Sequence, residues 1–335
     1  MTLQRLLPIC ILFLTTFSTT ALAAPLEILP FQTANRNPVA QIFGLPGPGT
    51  AILLPPGGTA AEFAIDTAQN FTKNTSGDEI SFFDGETYRF NLVLRHGVLP
   101  RFEVGLDLPY LIHRGGFLDG FVEGFHDTFA LSQSGRDNNP RDRLLYSYVR
   151  GGKQEILLDD HAEGLGDVRL RAAWQLWQAE TGPPRGAALH ASLKLPTGDS
   201  DRLLGSGSTD LALWVSGTRG WEWGSTELAL FGAAGVMAMT NGKVAEEHQR
   251  NLAGFGTLGG GWRPASWIVL KIQFDGHTPF YDSDLPELGD FAGQLIMGGD
   301  LALGKQTALE IGVSEDVIVD TSPDAVFRLA LRSRF

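Results

Sequence analysis

The sequence contains very little cysteine and little charge. Cys10 is the single cysteine among 335 residues, and one thiol cannot form a disulfide framework or a cysteine-rich metal site. Charged residues make up 19% of the chain, against about 25% in typical proteins. Lys plus Arg number 26 and Asp plus Glu number 38, so the net charge is 26 − 38 = −12. Because nucleic acids are bound by cations that neutralise phosphates, this acidic balance argues against a nucleic-acid partner.

Long apolar runs are also missing beyond the N-terminus. Residues 1–23 combine a positive start at Arg5, an apolar stretch and the small-residue pattern Ala21-Leu22-Ala23, which predicts an export signal peptide cleaved after Ala23. A transmembrane helix needs roughly 20 apolar residues. The uncharged run 38–61 is interrupted by prolines, and 228–242 is too short. The sequence therefore predicts an exported protein that has no helical membrane span.

The sequence does contain strict alternation of apolar and polar residues. In 101–113, for example, Phe102 and Val104 fall on one face, and Glu103 and Gly105 fall on the other. This period of two is typical of β-strands. Twelve segments follow it: 60–72, 87–95, 101–113, 167–177, 186–196, 209–218, 225–238, 251–262, 267–276, 293–303, 307–316 and 325–335.

The connections between these segments alternate in length. In chain order they are about 14, 5, 53, 8, 12, 6, 12, 4, 16, 3 and 8 residues long, as in up-and-down barrels with short periplasmic turns and long outer loops. Five tryptophans in or beside the short turns predict a periplasmic aromatic girdle: Trp177, Trp221, Trp223, Trp262 and Trp267. We therefore predict an all-β fold, a transmembrane antiparallel barrel of about twelve strands spanning residues 59–335. A secreted β-sandwich is the rival interpretation.

Charged residues occupy the strand face opposite the apolar one. In a barrel whose apolar side chains contact lipid, that face lines the lumen. Such charges either brace a hydrated interior in pairs or set up a transverse field that orients polar solutes. The candidate lumen charges are Arg89, Arg95, Glu103, Asp107, Arg169, Arg171, Lys194, Lys271, Asp275, Glu310, Arg328 and Arg332.

Several stretches resemble known envelope proteins. The C-terminal strand AVFRLALRSRF resembles the signal of outer-membrane barrels that ends in Phe, and this implies recognition of Phe335 by the barrel-assembly machinery. The stretches GLGDVRLRAAWQL and LKLPTGDSDRLLGSGSTDLAL resemble the transporter-like barrels grouped with meta-pathway phenol-degradation proteins. Four further pieces, NRNPVAQIFGLP, FLDGFVEGFHDTFAL, DGHTPFYDSDLPELGD and SEDVIVDTSPDAVFRLAL, resemble a Gram-negative outer-membrane family known as domain of unknown function three-one-eight-seven. This resemblance implies a fold and a location, but no activity or site.

The long outer connection 114–166 contains a predicted amphipathic helix. Glycines recur every four residues and phenylalanines do so one position later, so each set shares a helix face. This candidate constriction helix is formed by Gly116, Phe117, Gly120, Phe121, Gly124 and Phe125. It either constricts the lumen or merely caps the mouth. On its remaining face, Asp119, Glu123, His126 and Asp127 could hold a divalent cation, but such residues are more typical of a solvated face. We predict no metal site and no cofactor.

His190 and Ser192 share a strand face and suggest acyl transfer. The neighbouring leucines occupy the lipid-facing side, so both residues point inward, away from a lipid substrate. The sequence identifies no third group that would orient the histidine. We therefore predict a protein that is not an enzyme, with an outer-membrane lipid hydrolase as the minor alternative.

Two functions remain open. The first is a channel or transporter-like barrel that passes small molecules of unknown identity. The second is a non-conducting structural or binding barrel with a plugged lumen and interacting outer loops. Residues 24–58 are rich in Pro and Gly, lack a period, and are predicted as a periplasmic lead-in segment, although a periplasmic arm or part of a plug also fits. The predicted location is the outer membrane, with its lipid and a small solute as partners.

Overall fold

The computed structural model describes residues 26–116 and 143–335, whose strands form one 15-stranded sheet. The predicted signal peptide and most of the predicted constriction helix lie outside these residues. The strands are β1 (Thr59–Ser76), β2 (Glu79–Leu99), β3 (Phe102–Arg114), β4 (Leu145–Arg150), β5 (Lys153–Leu158), β6 (Ala162–Leu165), β7 (Arg169–Gln178), β8 (Arg185–Lys194), β9 (Asp210–Trp223), β10 (Thr226–Met239), β11 (Leu252–Ala265), β12 (Ile268–His277), β13 (Ala292–Ala302), β14 (Thr307–Asp316) and β15 (Ala325–Arg334).

Short helical turns lie in the connections. Among the described residues these are two 3₁₀ turns, Ser200–Arg202 and Glu246–His248, and one α-helix, α1 (Pro286–Gly289). No helix in the described part of the chain is long and apolar enough to cross a membrane.

Twelve strands close into an antiparallel barrel in the order β1, β2, β3 and β7 to β15. The last strand pairs with the first, from Ala60 opposite Arg334 to Gln69 opposite Ala325. Closure gives every strand two partners, so the barrel exposes no unpaired sheet edge. The predicted all-β, twelve-stranded barrel is confirmed, and each predicted segment coincides with one barrel strand.

The two faces of the wall differ in polarity because successive side chains point to opposite sides of a strand. Outward side chains such as Leu170, Leu213 and Ile272 are 46–50% exposed and form an apolar band toward lipid. Trp177, Trp223 and Trp267 lie at the end with the short turns and are 55%, 66% and 57% exposed. We call this the short-turn end and the opposite one the long-loop end.

The long connection after β3 contains more structure than predicted. A helix alone is expected between 114 and 166, but β4, β5 and β6 also lie there. β1 and β2 stay paired beyond the barrel, through the residues that are predicted as a connection of about 14 residues. In this extension, β4 pairs with residues 79–84 of β2. The sequence misses this extension because 73–86 mixes polar residues, Gly and Phe without a clear period.

The β4–β5 hairpin crosses the mouth at the long-loop end. It starts beside β2, and Lys153 reaches Glu247 in the β10–β11 connection across the ring, at 3.4 Å. Arg150 donates to the Asp282 carbonyl in the β12–β13 connection at 2.6 Å. These contacts close the mouth above the lumen.

The stretch predicted as a periplasmic lead-in, of which the structure describes residues 26–58, lies inside the barrel. We call these residues the lumen segment. The amide of Leu26 bonds to Ser266 at the short-turn end, and the chain then rises inside the barrel until residues 39–43 pack under the β4–β5 hairpin. It returns toward the short-turn end, where Gly57 bonds to the Gly97 carbonyl before β1 begins. The segment contains no strand or helix. The segment thus occupies the interior of the barrel.

Candidate functional site

The candidate lumen charges lie on the inner face of the barrel wall. Arg95, Arg171 and Arg332 keep partial exposure, and the other nine are buried. Their positions follow from the alternation of the strands, since the apolar neighbours of each one face outward. What the alternation leaves open is how these charges are paired.

One half of the lumen holds a closed network of ion pairs centred on Arg328. Its guanidinium contacts three carboxylates, those of Glu62 at 2.7 Å, Asp66 at 2.9 Å and Glu310 at 2.8 Å. Further pairs join Lys271 to Glu310 (2.6 Å) and Asp300 (3.1 Å), and Arg332 to Asp300 (2.5 Å). Buried charges are tolerated only when they are paired and hydrogen-bonded in this way.

The lumen segment joins this network through Arg36. Its Nε and Nη2 both donate to the Asp66 carboxylate, at 2.8 and 2.7 Å. With Arg36 included, four cations face four carboxylates, namely Glu62, Asp66, Asp300 and Glu310. The Lys271 ammonium also lies 3.9 Å from the centre of the Phe31 ring, a cation–π contact with the same segment. A residue of the segment thus completes the neutralisation of the wall.

The backbone of the lumen segment bonds to side chains of the wall. An irregular chain at membrane depth has no ladder of its own, so its N–H and C=O groups need such partners. The bonds are Gln273 to Phe31 N (2.8 Å) and O (3.1 Å), Asp210 to Gly44 N (2.7 Å), Arg169 to Leu45 O (2.9 Å), Trp214 to Pro48 O (2.8 Å), Gln175 to Ala51 O (2.7 Å) and Leu53 N (2.8 Å), and Glu103 to Leu54 N (3.0 Å).

Sequence reasoning selects only part of this set. Gln175, Gln273 and Trp214 hold the lumen segment but carry no charge, so a search for inward charges misses them. Each occupies an inward position of its strand and is buried. Amides and an indole on the polar side of a barrel strand are the signal that could have identified them.

Lys194 belongs to a second charged cluster, separate from the network around Arg328. It pairs with Asp167 at 2.7 Å and with Asp210 at 3.2 Å, and it donates to the Ile42 carbonyl at 3.2 Å. Asp275, by contrast, accepts from Thr257 at 2.6 Å and from glutamine side chains. Lys194 therefore fixes the tip of the lumen segment, at Ile42, to Asp167 before β7 and to Asp210 at the start of β9.

His190 does not bond to Ser192, its neighbour two residues along β8. The His190 Nε2 shares a hydrogen bond of 2.8 Å with the Ser216 hydroxyl on β9, and its ring stacks on Trp214 at 5.0 Å between centroids. Ser192 is buried on the inner face. The inward direction expected for both residues agrees with this placement.

Of the residues of the predicted constriction helix, the structure describes Gly116. Gly116, the last residue described before the gap, is buried beside the Glu86 carboxylate. The other helix residues and the acidic face with His126 lie outside the described residues. Within 26–116 and 143–335, no three His, Cys, Asp or Glu side chains are placed to hold a metal ion.

The lumen is closed at one end and hollow at the other. At the long-loop end, apolar side chains of the lumen segment, β4, β5 and α1 form one cluster that includes Phe43, Tyr146, Ile156, Tyr281 and Leu288. At the short-turn end lies a cavity of about 300 Å³, lined by Arg95, Arg171, Glu62, Glu103, His190 and Thr50, among others. The cavity ends where the lumen segment fills the barrel.

Two titratable groups of the closed end have shifted pKa values. Burial raises the pKa of Glu287 in α1, whose carboxylate accepts hydrogen bonds from Ser81 and, at 2.9 Å, from Asn74. Burial, together with a hydrogen bond to Glu79, raises the pKa of Tyr148 in β4 to about 12. In both groups burial disfavours the charged form, which raises the pKa.

Comparisons with known proteins agree with this architecture. Residues 5–335 match the model of a family described as "Protein of unknown function (DUF3187)". The COG4313 outer-membrane channel from Pseudomonas putida F1 aligns with a TM-score of 0.54 at 13% sequence identity, covering 86% of this chain and 99% of that one. The toluene transporter TbuX from Ralstonia pickettii aligns with a TM-score of 0.36 at 10% identity (84% and 90% covered). No curated protein matches the chain. The first structure shows the fold, that of an outer-membrane β-barrel.

Proposed function

Because the chain belongs to the DUF3187 family and folds as an outer-membrane barrel, we propose that it is a small-molecule channel held closed by its lumen segment. A closed sheet of twelve strands, spaced about 4.8 Å apart and tilted by about 40°, is about 24 Å across between backbone atoms. That width accommodates a chain that enters and returns. Without the segment, the same width leaves an aqueous path lined by charges of both signs.

The observation that carries this proposal is how the lumen segment is attached. Apart from backbone contacts at its two ends, its backbone bonds to the wall go to side chains, and no strand pairing joins it to the barrel. Water can replace such bonds one at a time, each at a net cost of about 0.5–1.5 kcal/mol. The segment can therefore leave without breaking the barrel wall, as a gate requires.

The cavity at the short-turn end supports the same proposal. Its charges of both signs suit a transverse field that orients polar solutes. A solute in this cavity meets the returning part of the segment at Thr50, which accepts a hydrogen bond from Arg95 at 2.9 Å. Passage then requires residues near Thr50 to move.

Conductance in planar lipid bilayers tests the proposal. The wild-type protein is compared with a variant that lacks residues 26–58, and heat-modifiable gel migration verifies that both are folded. We expect rare openings for the wild type and sustained conductance, at least tenfold higher on average, for the deletion. A folded deletion variant that neither conducts nor passes solutes into liposomes contradicts a channel.

The second candidate function is a non-conducting barrel that binds partners through its outer loops. The apolar cluster under the β4–β5 hairpin favours it, because such a closure costs more to open than the polar contacts below it. In that case, deleting residues 134–160 changes surface binding and leaves permeability unchanged. In a channel, the same deletion raises the frequency of opening.

A further inference from the structure

Four arginines gather between the lumen segment and the β2–β3–β7 wall. Arg36 comes from the segment, Arg89 from β2, and Arg169 and Arg171 from β7, and all four line one small cavity of about 20 Å³. Asp107 of β3 is the only carboxylate among its described lining residues. Because Arg36 is paired with Asp66, the lining keeps three positive charges, those of Arg89, Arg169 and Arg171, against the one negative charge of Asp107.

The carboxylates near this group are already engaged or distant. Asp66 lies directly opposite Arg89 across strands β1 and β2. Its oxygens, however, accept from Arg36 and Arg328, at 2.7 to 2.9 Å. Asp107 approaches Arg171 only to 3.6 Å, and its Oδ1 has no hydrogen-bond partner.

Arg89 makes neither an ion pair nor a side-chain hydrogen bond within the described part of the chain. Its side chain is 4% exposed, and its Nε has no hydrogen-bond partner. Among the described residues, no ion pair reaches its guanidinium: Arg36 and Arg169 act on it as like charges, and the carboxylates of Asp66 and Asp107 act on it only from beyond ion-pair distance. Arg169 donates from Nη1 to the Leu45 carbonyl, and its Nε also lacks a partner.

An uncompensated charge in such surroundings is costly. Leaving a buried ion without its partner strongly destabilises a protein. The ion-pair network around Arg328, in the same lumen, is balanced, so this surplus is local. A water molecule satisfies a donor but leaves the charge unneutralised. The missing component is an anion.

We propose that the cavity between Arg89, Arg169 and the lumen segment is a binding site for a monoatomic halide, chloride in the cell. A cavity must have at least about 10–15 Å³ to hold one water-sized particle, so about 20 Å³ holds one such ion. Sulfate and phosphate, with five heavy atoms each, are too large. Because Gly47 and Thr33 of the lumen segment complete the lining, the bound halide joins the segment to the wall. The site does not depend on whether the barrel conducts.

Anomalous scattering from bromide locates the ion directly. Crystals of the full-length wild-type protein are grown with bromide in place of chloride. We expect one anomalous peak among the four guanidinium groups and Gly47. An electron-density map that shows these side chains but no anomalous peak at this position overturns the proposal. The test uses the wild-type protein, so it does not depend on whether a variant folds.

Chloride-dependent stability provides a second test. The thermal unfolding midpoint of the protein in detergent is followed as chloride replaces gluconate at constant ionic strength. The wild-type midpoint rises with chloride, since a ligand that binds only the folded state stabilises it. Arg89→Gln weakens the apparent chloride affinity at least tenfold, and Arg89→Lys retains part of it. Arg263→Gln, which breaks the pair with Glu227 away from the cavity, is the matched control and keeps the wild-type response.

Equal wild-type midpoints in chloride and gluconate contradict the site. So does an Arg89→Gln variant whose midpoint responds to chloride as that of Arg263→Gln does. Sulfate serves as the size control, and it should produce no specific shift.

Discussion

Replacing Arg328 by Met tests the ion-pair network that braces the lumen. Met keeps an unbranched apolar stem and removes the guanidinium and its charge. The change deletes contacts to Glu62, Asp66 and Glu310 at 2.7, 2.9 and 2.8 Å. Asp66 keeps Arg36, and Glu310 keeps Lys271.

The expected loss of unfolding free energy follows from the one carboxylate that loses its ion-pair partner altogether. Within the described residues Glu62 has no ion pair other than that with Arg328. Breaking a buried pair on one side costs about 3–5 kcal/mol, and we expect a loss in this range and not three times as much. Replacing Glu62 by Gln in the same protein removes the unpaired charge and restores at least about 1 kcal/mol.

Urea unfolding of the barrel in lipid vesicles measures these free energies, with tryptophan fluorescence as the signal. Arg334→Met is the matched control because its pair with Glu27 is 40% and 48% exposed. An exposed pair contributes about 0–1 kcal/mol. A loss for Arg328→Met no larger than that for Arg334→Met refutes the account of the network.

Three further predictions concern the lumen segment and the closed end. Gly49→Ala places a Cβ 2.8 Å from the His190 ring, at a left-handed φ of +75°. Gly57→Ala has a similar left-handed φ of +81°, but the space around its Cβ is open. We therefore expect the Gly49→Ala variant to open more often in bilayers than the Gly57→Ala variant. Trp214→Phe removes an indole N–H that donates to a carbonyl oxygen of the segment at 2.8 Å and costs about 1–3 kcal/mol in urea unfolding. Because burial raises the pKa of Glu287 above its unfolded value, the carboxyl stabilises the closed end fully below the unfolded pKa, and this stability is lost as pH rises through the folded pKa. Glu287→Gln therefore removes this pH dependence, which hydrogen exchange in α1 measures.

The barrel itself can be predicted from the sequence because its information is local. An apolar residue followed by a polar one, as in Phe102 and Glu103, indicates which face of the strand each side chain occupies, and this alternation repeats in every barrel strand. The connection lengths then give the order and the direction of the strands. Because the number of strands is even, the last strand, β15, runs antiparallel to β1 and can close the barrel by pairing with it.

The interior cannot be predicted in the same way. Lys271 and Glu310 lie on β12 and β14, two strands apart, so their pairing depends on register and tilt across the lumen. The lumen segment has no period, since its backbone bonds go to distant side chains such as Trp214 and Gln273. Its path inside the barrel is a tertiary property, and Pro and Gly in 24–58 fit several arrangements.

A reversible covalent lock on the lumen segment tests the central claim most directly. A Cβ at Gly44 lies 3.0 Å from the Cβ of Asp210, close enough for a disulfide in the Gly44→Cys/Asp210→Cys variant after a small displacement. Cys10, the one natural cysteine, lies in the predicted signal peptide. Asp210→Cys alone, which cannot form the bond, is the control. The measurement is single-channel conductance in a planar bilayer, before and after a reductant is added. The account predicts a silent oxidised double variant whose openings appear on reduction and match those of the control. Equal conductance in the oxidised and reduced states contradicts it.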